Sequence, residues 1–224
     1  MIRILLWRLT LEFLNFLKLL GVHGRDCFYF AYGANLNSEV MENRGMTVKA
    51  SMVAKVPNFR LLFNHDVPFI GIGMASIESF PGSEVYGLVY TITKVDEWIM
   101  DCYEACLFFH RYRKATLTIE NKKCFYYYTA IPNPNLLPSA AYLTKIINGY
   151  KKMFEGDSPF IARLENHASL PEMIPRKPPK FLITNYDRGG VFLRSPLEAY
   201  DSWCVKVFVY FLFKPSIFKK WRFF

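Results

Sequence analysis

Apolar side chains recur nearly all round a helical wheel from Met1 to Leu20, broken by Arg3, Arg8, Glu12, Asn15 and Lys18. That pattern is helical, but too interrupted for a membrane span and without the clean apolar core and small-residue cleavage site of a signal peptide. The period then changes. Asp26 to Ala31 is a short apolar run suited to a buried strand, and Ser38 is placed to cap a brief helix, Glu39 to Arg44, that Gly45 terminates. Strands are predicted at Val48 to Val56 and Phe59 to Phe63, divided by Pro57-Asn58. Two more follow at Gly71 to Ile77 and Glu84 to Tyr90, divided by Pro81-Gly82-Ser83. Thr93 with Asp96 makes a capping box for a helix through Trp98, Ile99 and Met100 that ends near Glu104. Tyr112 to Glu120 and Cys124 to Ile131 read as a hairpin about Asn121-Lys122-Lys123. After the Pro132-Asn133-Pro134 break, Ser139 caps a helix with Tyr142, Ile146, Tyr150 and Met153 on one face, ended by Gly156; Ser158-Pro159 opens another through Ile161 and Leu164. Many short strands with helices at intervals, and no strand-helix-strand alternation, predict an α+β fold: a mostly antiparallel, partly closed β-barrel with inserted helices.

The chain has 224 residues, 52% hydrophobic and 17% aromatic, enough for one domain with a substantial core. Three regions are distinguished: a basic, apolar extension over residues 1–25, a body over 26–170, and a Pro-rich arm with a basic aromatic tail over 171–224. The net charge of +9 sits at the ends. Residues 1–25 hold four bases against one acid and residues 203–224 five bases and no acid, leaving 19 basic and 18 acidic side chains between them. A body so close to neutral offers no basic stripe for phosphates, so no nucleic-acid partner is expected. Cys27, Cys102, Cys106, Cys124 and Cys204 are odd in number and lack small-module spacing, which fits a reducing, cytoplasmic setting. Weak membrane contact through the termini is one alternative for the two ends, an extension packed on the domain another, and a homodimer is also left open.

Chemistry concentrates where the first strand runs into Tyr32-Gly33-Ala34-Asn35-Leu36. A turn of this kind before a helix start aims backbone N–H groups at a small polar ligand, and Gly33 allows close backbone approach. The segment Phe30 to Leu36, the strands Gly73 to Ile77 and Pro81 to Tyr90, and Asp101-Cys102-Tyr103-Glu104 together resemble three ordered blocks of the gamma-glutamylcyclotransferase family. The resemblance covers roughly residues 26–167. It implies a cyclotransferase barrel and a reaction in which the alpha-amino group of a gamma-glutamyl compound attacks its own side-chain amide, giving 5-oxoproline and a free amino acid. It further implies Glu104 as the single general acid/base, with Tyr32, Gly33, Ala34, Asn35 and Leu36 as the binding loop. Tyr127 matches a family strand position and is taken as a cavity residue. No cofactor and no metal is expected.

One carboxylate suffices for such chemistry, because the amine must lose a proton to attack and the departing nitrogen must gain one. The sequence departs from the family at Ala34, where serine is usual, at Ala105, where glycine is usual, and over Cys106 to Tyr112, which is one residue longer. These changes supply the alternative: a catalytically inactive binding domain of the same fold. His23, His65, His110 and His167 have no ligand spacing, Ser76 has no nucleophile elbow, and Arg111 and Arg113 read as strand residues open to a substrate carboxylate.

Overall fold

A computed structural model describes residues 2–66, 71–104, 106, 112–154 and 158–171. Its strands are β1 (Asp26–Ala31), β2 (Ala50–Asp66), β3 (Gly73–Thr93), β4 (Tyr112–Ile119) and β5 (Lys122–Thr129), in one sheet of order β2-β3-β1-β5-β4. The helices are α1 (Ile2–Leu19), α2 (Ser38–Asn43), α3 (Lys94–Tyr103), α4 (Ala140–Lys151) and α5 (Pro159–Glu165). The fold is α+β, as expected. Every neighbouring pair is antiparallel except β1 with β5, where Phe28 faces Cys124 and Tyr29 faces Phe125 in parallel. The expected closure toward a barrel is corrected: β2 and β4 each pair with a single neighbour among the described residues, so the sheet is open at both edges.

Two cores lie on opposite faces of this sheet, and the two-residue period of the central strands assigns them. Phe30, Val89, Cys124 and Tyr126 pack with Ile146 and Tyr150 of α4 and with Phe160, Ile161 and Leu164 of α5. Tyr29, Ala31, Tyr90, Ile92, Phe125 and Tyr127 pack with Val95, Ile99 and Met100 of α3 and with Trp7 and Leu14 of α1. The first helix is therefore packed on the domain. Burying Trp7 and Leu14 contributes about 1.5–3 kcal/mol each, and Trp7 Nε1 donates to the Cys102 carbonyl at 2.7 Å. The opposite face of α1 leaves Leu6, Phe13, Phe16 and Leu19 exposed. Among the described residues no helix is long and apolar enough to cross a membrane.

Local chemistry explains where elements differ from the sequence pattern. The two strand candidates on either side of Pro57-Asn58 are one strand, β2, and those flanking Pro81-Gly82-Ser83 are one strand, β3. The two irregularities face each other: Asn58 and Gly82 both take positive φ, and the Gly82 amide donates to Asn58 Oδ1 at 3.1 Å. The ladder thus shifts register at a paired bulge and continues. The β4–β5 hairpin turns on Glu120-Asn121, both at positive φ as a tight two-residue turn requires, so the loop is shorter than the predicted Asn121-Lys122-Lys123. Asn37 rather than Ser38 caps α2, accepting from the Glu39 amide at 3.1 Å, while Gly45 at φ 71 ends it. The Thr93–Asp96 capping box and the Ser139 and Ser158 caps are as predicted. The helix predicted to run to Gly156 ends earlier, α4 stopping at Lys151 with Lys152 as its C-cap; Gly156 itself and the tail beyond Pro171 lie outside the described residues.

Candidate active site

The loop after β1 closes into a tight turn, Ala34–Leu36, in which the Leu36 amide donates to the Gly33 carbonyl at 3.0 Å and the Asn37 amide to the Ala34 carbonyl at 3.1 Å. The Leu36 amide is thereby used within the turn. The Ala34 and Asn35 amides, at its open start, form no hydrogen bond among the described residues.

Surrounding side chains fix the turn from three sides. Tyr90 donates its hydroxyl to the Asn35 carbonyl at 3.0 Å, and the Tyr150 hydroxyl lies 2.7 Å from the Tyr32 carbonyl and 2.8 Å from that of Tyr86. The Tyr32 hydroxyl donates to the Tyr127 carbonyl. Gly33 packs so closely on β3 that a Cβ there would stand 3.1 Å from the Cβ of Ala75.

Glu104 reaches this turn from the other core. It is the C-cap of α3, with the helical φ/ψ run ending at its own φ −80 and ψ 6. Its side chain is 13% exposed. Oε1 accepts from Asn35 Nδ2 at 3.2 Å and from Arg44 Nη1 at 2.7 Å. The same Asn35 nitrogen donates to the Tyr29 hydroxyl at 2.6 Å, which sets the amide's orientation and turns Oδ1 away; Oδ1 is buried with no partner among the described residues. An orphaned acceptor beside a carboxylate is a seat for a donor-rich group such as an ammonium.

Buried tyrosines surround the Glu104 carboxylate. Burial, reinforced by neighbouring phenols and the charge of Glu104, pushes the hydroxyls of Tyr32 and Tyr112 well above the ordinary phenol range; burial and Glu104 do the same for Tyr29. All three stay neutral at physiological pH and act as hydrogen-bonding groups. Tyr112 donates to the Ala75 carbonyl at 2.8 Å and stacks on His65 with ring centroids 3.7 Å apart, and the Ala75 amide donates to the Tyr142 hydroxyl at 3.1 Å.

The structure brings Tyr32, Gly33, Ala34, Asn35 and Leu36 together with Glu104, although Glu104 lies 69 residues from Asn35 in sequence. Tyr127 stands differently. Its hydroxyl is committed to Asp101 Oδ1 at 2.7 Å, within a chain of ion pairs in which Lys114 joins Asp101 to Glu97, and it meets the turn through its backbone carbonyl. Ser76 accepts from the Thr129 amide at 2.9 Å, His65 Nδ1 lies 3.0 Å from Thr129 Oγ1, and His167 packs on Phe63, so each has a structural partner. Arg113 is exposed on β4. Ala105, His110 and Arg111 lie outside the described residues. Among the described residues no cluster of His, Cys, Asp or Glu is placed to hold a metal ion. Sequence reasoning passed over Arg44. A base in the last turn before Gly45 complements a helix end whatever its function, and nothing local links it to an acid 60 residues on.

No family model matches the chain. Mouse (Mus musculus) gamma-glutamylcyclotransferase is 35% identical over 81 residues, 33% of this chain and 42% of that protein. The match thus spans less than half the length of the curated relative. Among solved structures, one described as a gamma-glutamyl cyclotransferase aligns with a TM-score of 0.56 and 24% identity over 65% of this chain and 90% of that one. An uncharacterized protein from Homo sapiens aligns with a TM-score of 0.55 and 24% identity, over 65% of this chain and 89% of that one. YkqA from Bacillus subtilis aligns with a TM-score of 0.52 and 15% identity, over 65% and 56%. The chain resembles gamma-glutamylcyclotransferase in sequence and has the gamma-glutamylcyclotransferase-like fold.

Proposed function

We propose that this protein is a gamma-glutamylcyclotransferase that converts gamma-glutamyl amino acids to 5-oxoproline and a free amino acid. The observation that carries the reading is the meeting of Glu104 Oε1 with Asn35 Nδ2 at 3.2 Å, which sets a largely buried carboxylate against the turn that follows β1. In this reading the substrate's alpha-amino group sits at Asn35 Oδ1, the acceptor left without a partner. The Ala34 and Asn35 amides face the side-chain carbonyl oxygen as it gains negative charge.

The reaction needs one proton carried twice. Glu104 takes a proton from the attacking amine as the new C–N bond forms, and returns it to the departing nitrogen as the old amide C–N bond breaks. Nucleophile and electrophile belong to one molecule, so holding the folded conformer supplies much of the rate, up to about 7–11 kcal/mol in well-oriented intramolecular cases. Ala34 brings no hydroxyl to the turn, and the role given to that position is carried by its backbone.

The test is release of 5-oxoproline from gamma-glutamyl-alanine by the purified chain. Wild type is expected to turn over, and Glu104→Gln to lose about 10²–10⁴-fold, the usual worth of a general acid/base. A wild-type protein that binds gamma-glutamyl-alanine yet releases no product would leave the non-catalytic binding domain as the reading.

A further inference from the structure

Among the described residues, Arg44 is the charged side chain on the proposed acid/base that neither the binding turn nor the family blocks account for. It is the C-cap of α2 and only 7% exposed. Its guanidinium lies along the last turn of α3: Nη1 is 2.7 Å from Glu104 Oε1 and 3.7 Å from Met100 Sδ, and Cζ is 5.1 Å from the centroid of the Tyr103 ring. Residues 100, 103 and 104 share one helical face, so the planar cation spans that face and ends on the carboxylate. Burial opposes the guanidinium charge, but the charge of Glu104 and the hydrogen bond to it outweigh burial, so Arg44 stays protonated.

Its own position is fixed on both sides. Gly45 closes α2, and the Met46 amide returns to the Met41 carbonyl at 3.0 Å. Lys18 of α1 donates to the Gly45 carbonyl and, at 2.6 Å, to Asp96 Oδ1 at the start of α3. Meanwhile Trp7 of α1 holds the Cys102 carbonyl, two residues before Glu104. The first helix therefore braces the segments carrying both members of the pair.

The two oxygens of Glu104 are consequently unequal. Oε1 takes both donors, Arg44 and Asn35, whereas Oε2 accepts from no described residue. We infer that Arg44 is the positioning residue of Glu104, holding Oε1 so that Oε2 is the oxygen that exchanges protons with substrate nitrogen. This inference rests on the cyclotransferase reading and deepens it. With Arg44 replaced, the carboxylate can rotate about its own bonds and divide its time between Asn35 and other orientations, which costs turnover rather than binding.

The experiment uses the full chain with Arg44→Met, which fills the slot beside Met100 without charge, and Arg44→Lys, which keeps charge without the planar fork. With gamma-glutamyl-alanine, Arg44→Met is expected to lose about a hundredfold in kcat, the scale of an ångström-level misplacement, with KM nearly unchanged. Arg44→Lys is expected to recover part of that loss. The loss should fall on kcat while KM holds, and the partial rescue by Arg44→Lys should follow the same split. A merely structural role would lower the active fraction of protein and leave the reactivity of Glu104 in the folded fraction unchanged. In parallel, carbodiimide coupling at Glu104, read by mass spectrometry on folded protein, is expected to quicken severalfold in Arg44→Met.

A folded Arg44→Met with wild-type kcat and wild-type carbodiimide coupling overturns the inference. If Arg44→Met does not fold, Arg44→Lys with wild-type kcat and wild-type carbodiimide coupling overturns it instead. Should wild type release no 5-oxoproline, the cyclotransferase reading fails by itself; the coupling rates then decide the placement of Glu104, and equal rates in wild type and Arg44→Met overturn that too.

Discussion

Among the described residues Asp96 is the carboxylate that accepts the most hydrogen bonds, and its removal tests the account of how the first helix is joined to the body. Its side chain is fully buried at 0% exposure. Oδ2 accepts from the Thr93 amide at 3.0 Å and the Thr93 hydroxyl at 2.7 Å, closing the capping box; Oδ1 accepts from Lys18 at 2.6 Å and the Thr47 amide at 3.3 Å. One group thus joins α1, the segment before β2, and α3. Asp96→Ala loses its half of the capping box, worth about 1 kcal/mol, and breaks a buried ion pair, which by itself costs about 3–5 kcal/mol. Lys18 is 13% exposed and keeps the Gly45 carbonyl, so the second figure belongs at its lower end. The expected loss is about 4 kcal/mol, out of the roughly 5–15 kcal/mol that holds a domain together. Urea unfolding of the full chain, with the m-value checked for constancy, measures it. Lys18→Met and the double variant complete a cycle in which the pair should show a coupling of at least about 1 kcal/mol. A loss below about 1 kcal/mol for Asp96→Ala, or strict additivity in the cycle, would refute the placement of α1 as a brace.

Two further expectations concern the packing of the turn and the acid stability of the fold. Gly149 of α4 lies against Leu36, so that a Cβ there would stand 2.9 Å from the Leu36 Cβ. Gly149→Ala gains about 1 kcal/mol of helix propensity, but overpacking at a site only 4% exposed at Leu36 costs about 1–3 kcal/mol. Its melting temperature and its 5-oxoproline turnover should both fall, and a variant more stable than wild type would show that the helix and turn are not in close contact. For Glu97, burial raises the carboxyl's proton affinity, yet hydrogen bonds from Lys114, Lys94 and Cys27 outweigh burial and hold it below its ordinary value of 4.5. A carboxyl depressed on folding contributes stability above the unfolded value, and loses it as pH falls through the folded one. Wild type should therefore lose more unfolding free energy than Glu97→Gln between about pH 5 and about pH 3; parallel acid profiles would contradict the ion-pair chain.

The strand-to-turn passage at Tyr32 to Leu36, the capping box at Thr93, the serine caps of α4 and α5 and the existence of every strand are local matters. Period, cap chemistry and turn residues act within a few positions of one another, and the sequence shows them directly. Errors arose where a local signal had a distant complement. Pro57-Asn58 and Pro81-Gly82-Ser83 each read as a strand break in isolation, but the two meet across the ladder and become one paired bulge. The α2 cap is a different, purely local case: Asn37 and Ser38 are neighbouring cap-formers, and it is the Asn37 side chain that meets the helix amides.

The site divides along the same line. Glu104 and the turn from Tyr32 to Leu36 could be named from the ordered blocks of the chain, because each block is contiguous. Arg44 could not, nor could the commitment of the Tyr127 hydroxyl to Asp101, nor the bracing of both by Trp7 and Lys18 from a helix that by composition resembled an appendage. By itself the sequence determined the class of fold and most helix starts, since these depend on side-chain identity and spacing along one segment. Tertiary structure alone decided that the sheet stays open among the described residues and that Arg44 faces the carboxylate. It also decided which carboxylate oxygen takes both donors, because a charge finds its partner through space at a few ångströms, and chain separations of 60 to 95 residues carry no record of that distance.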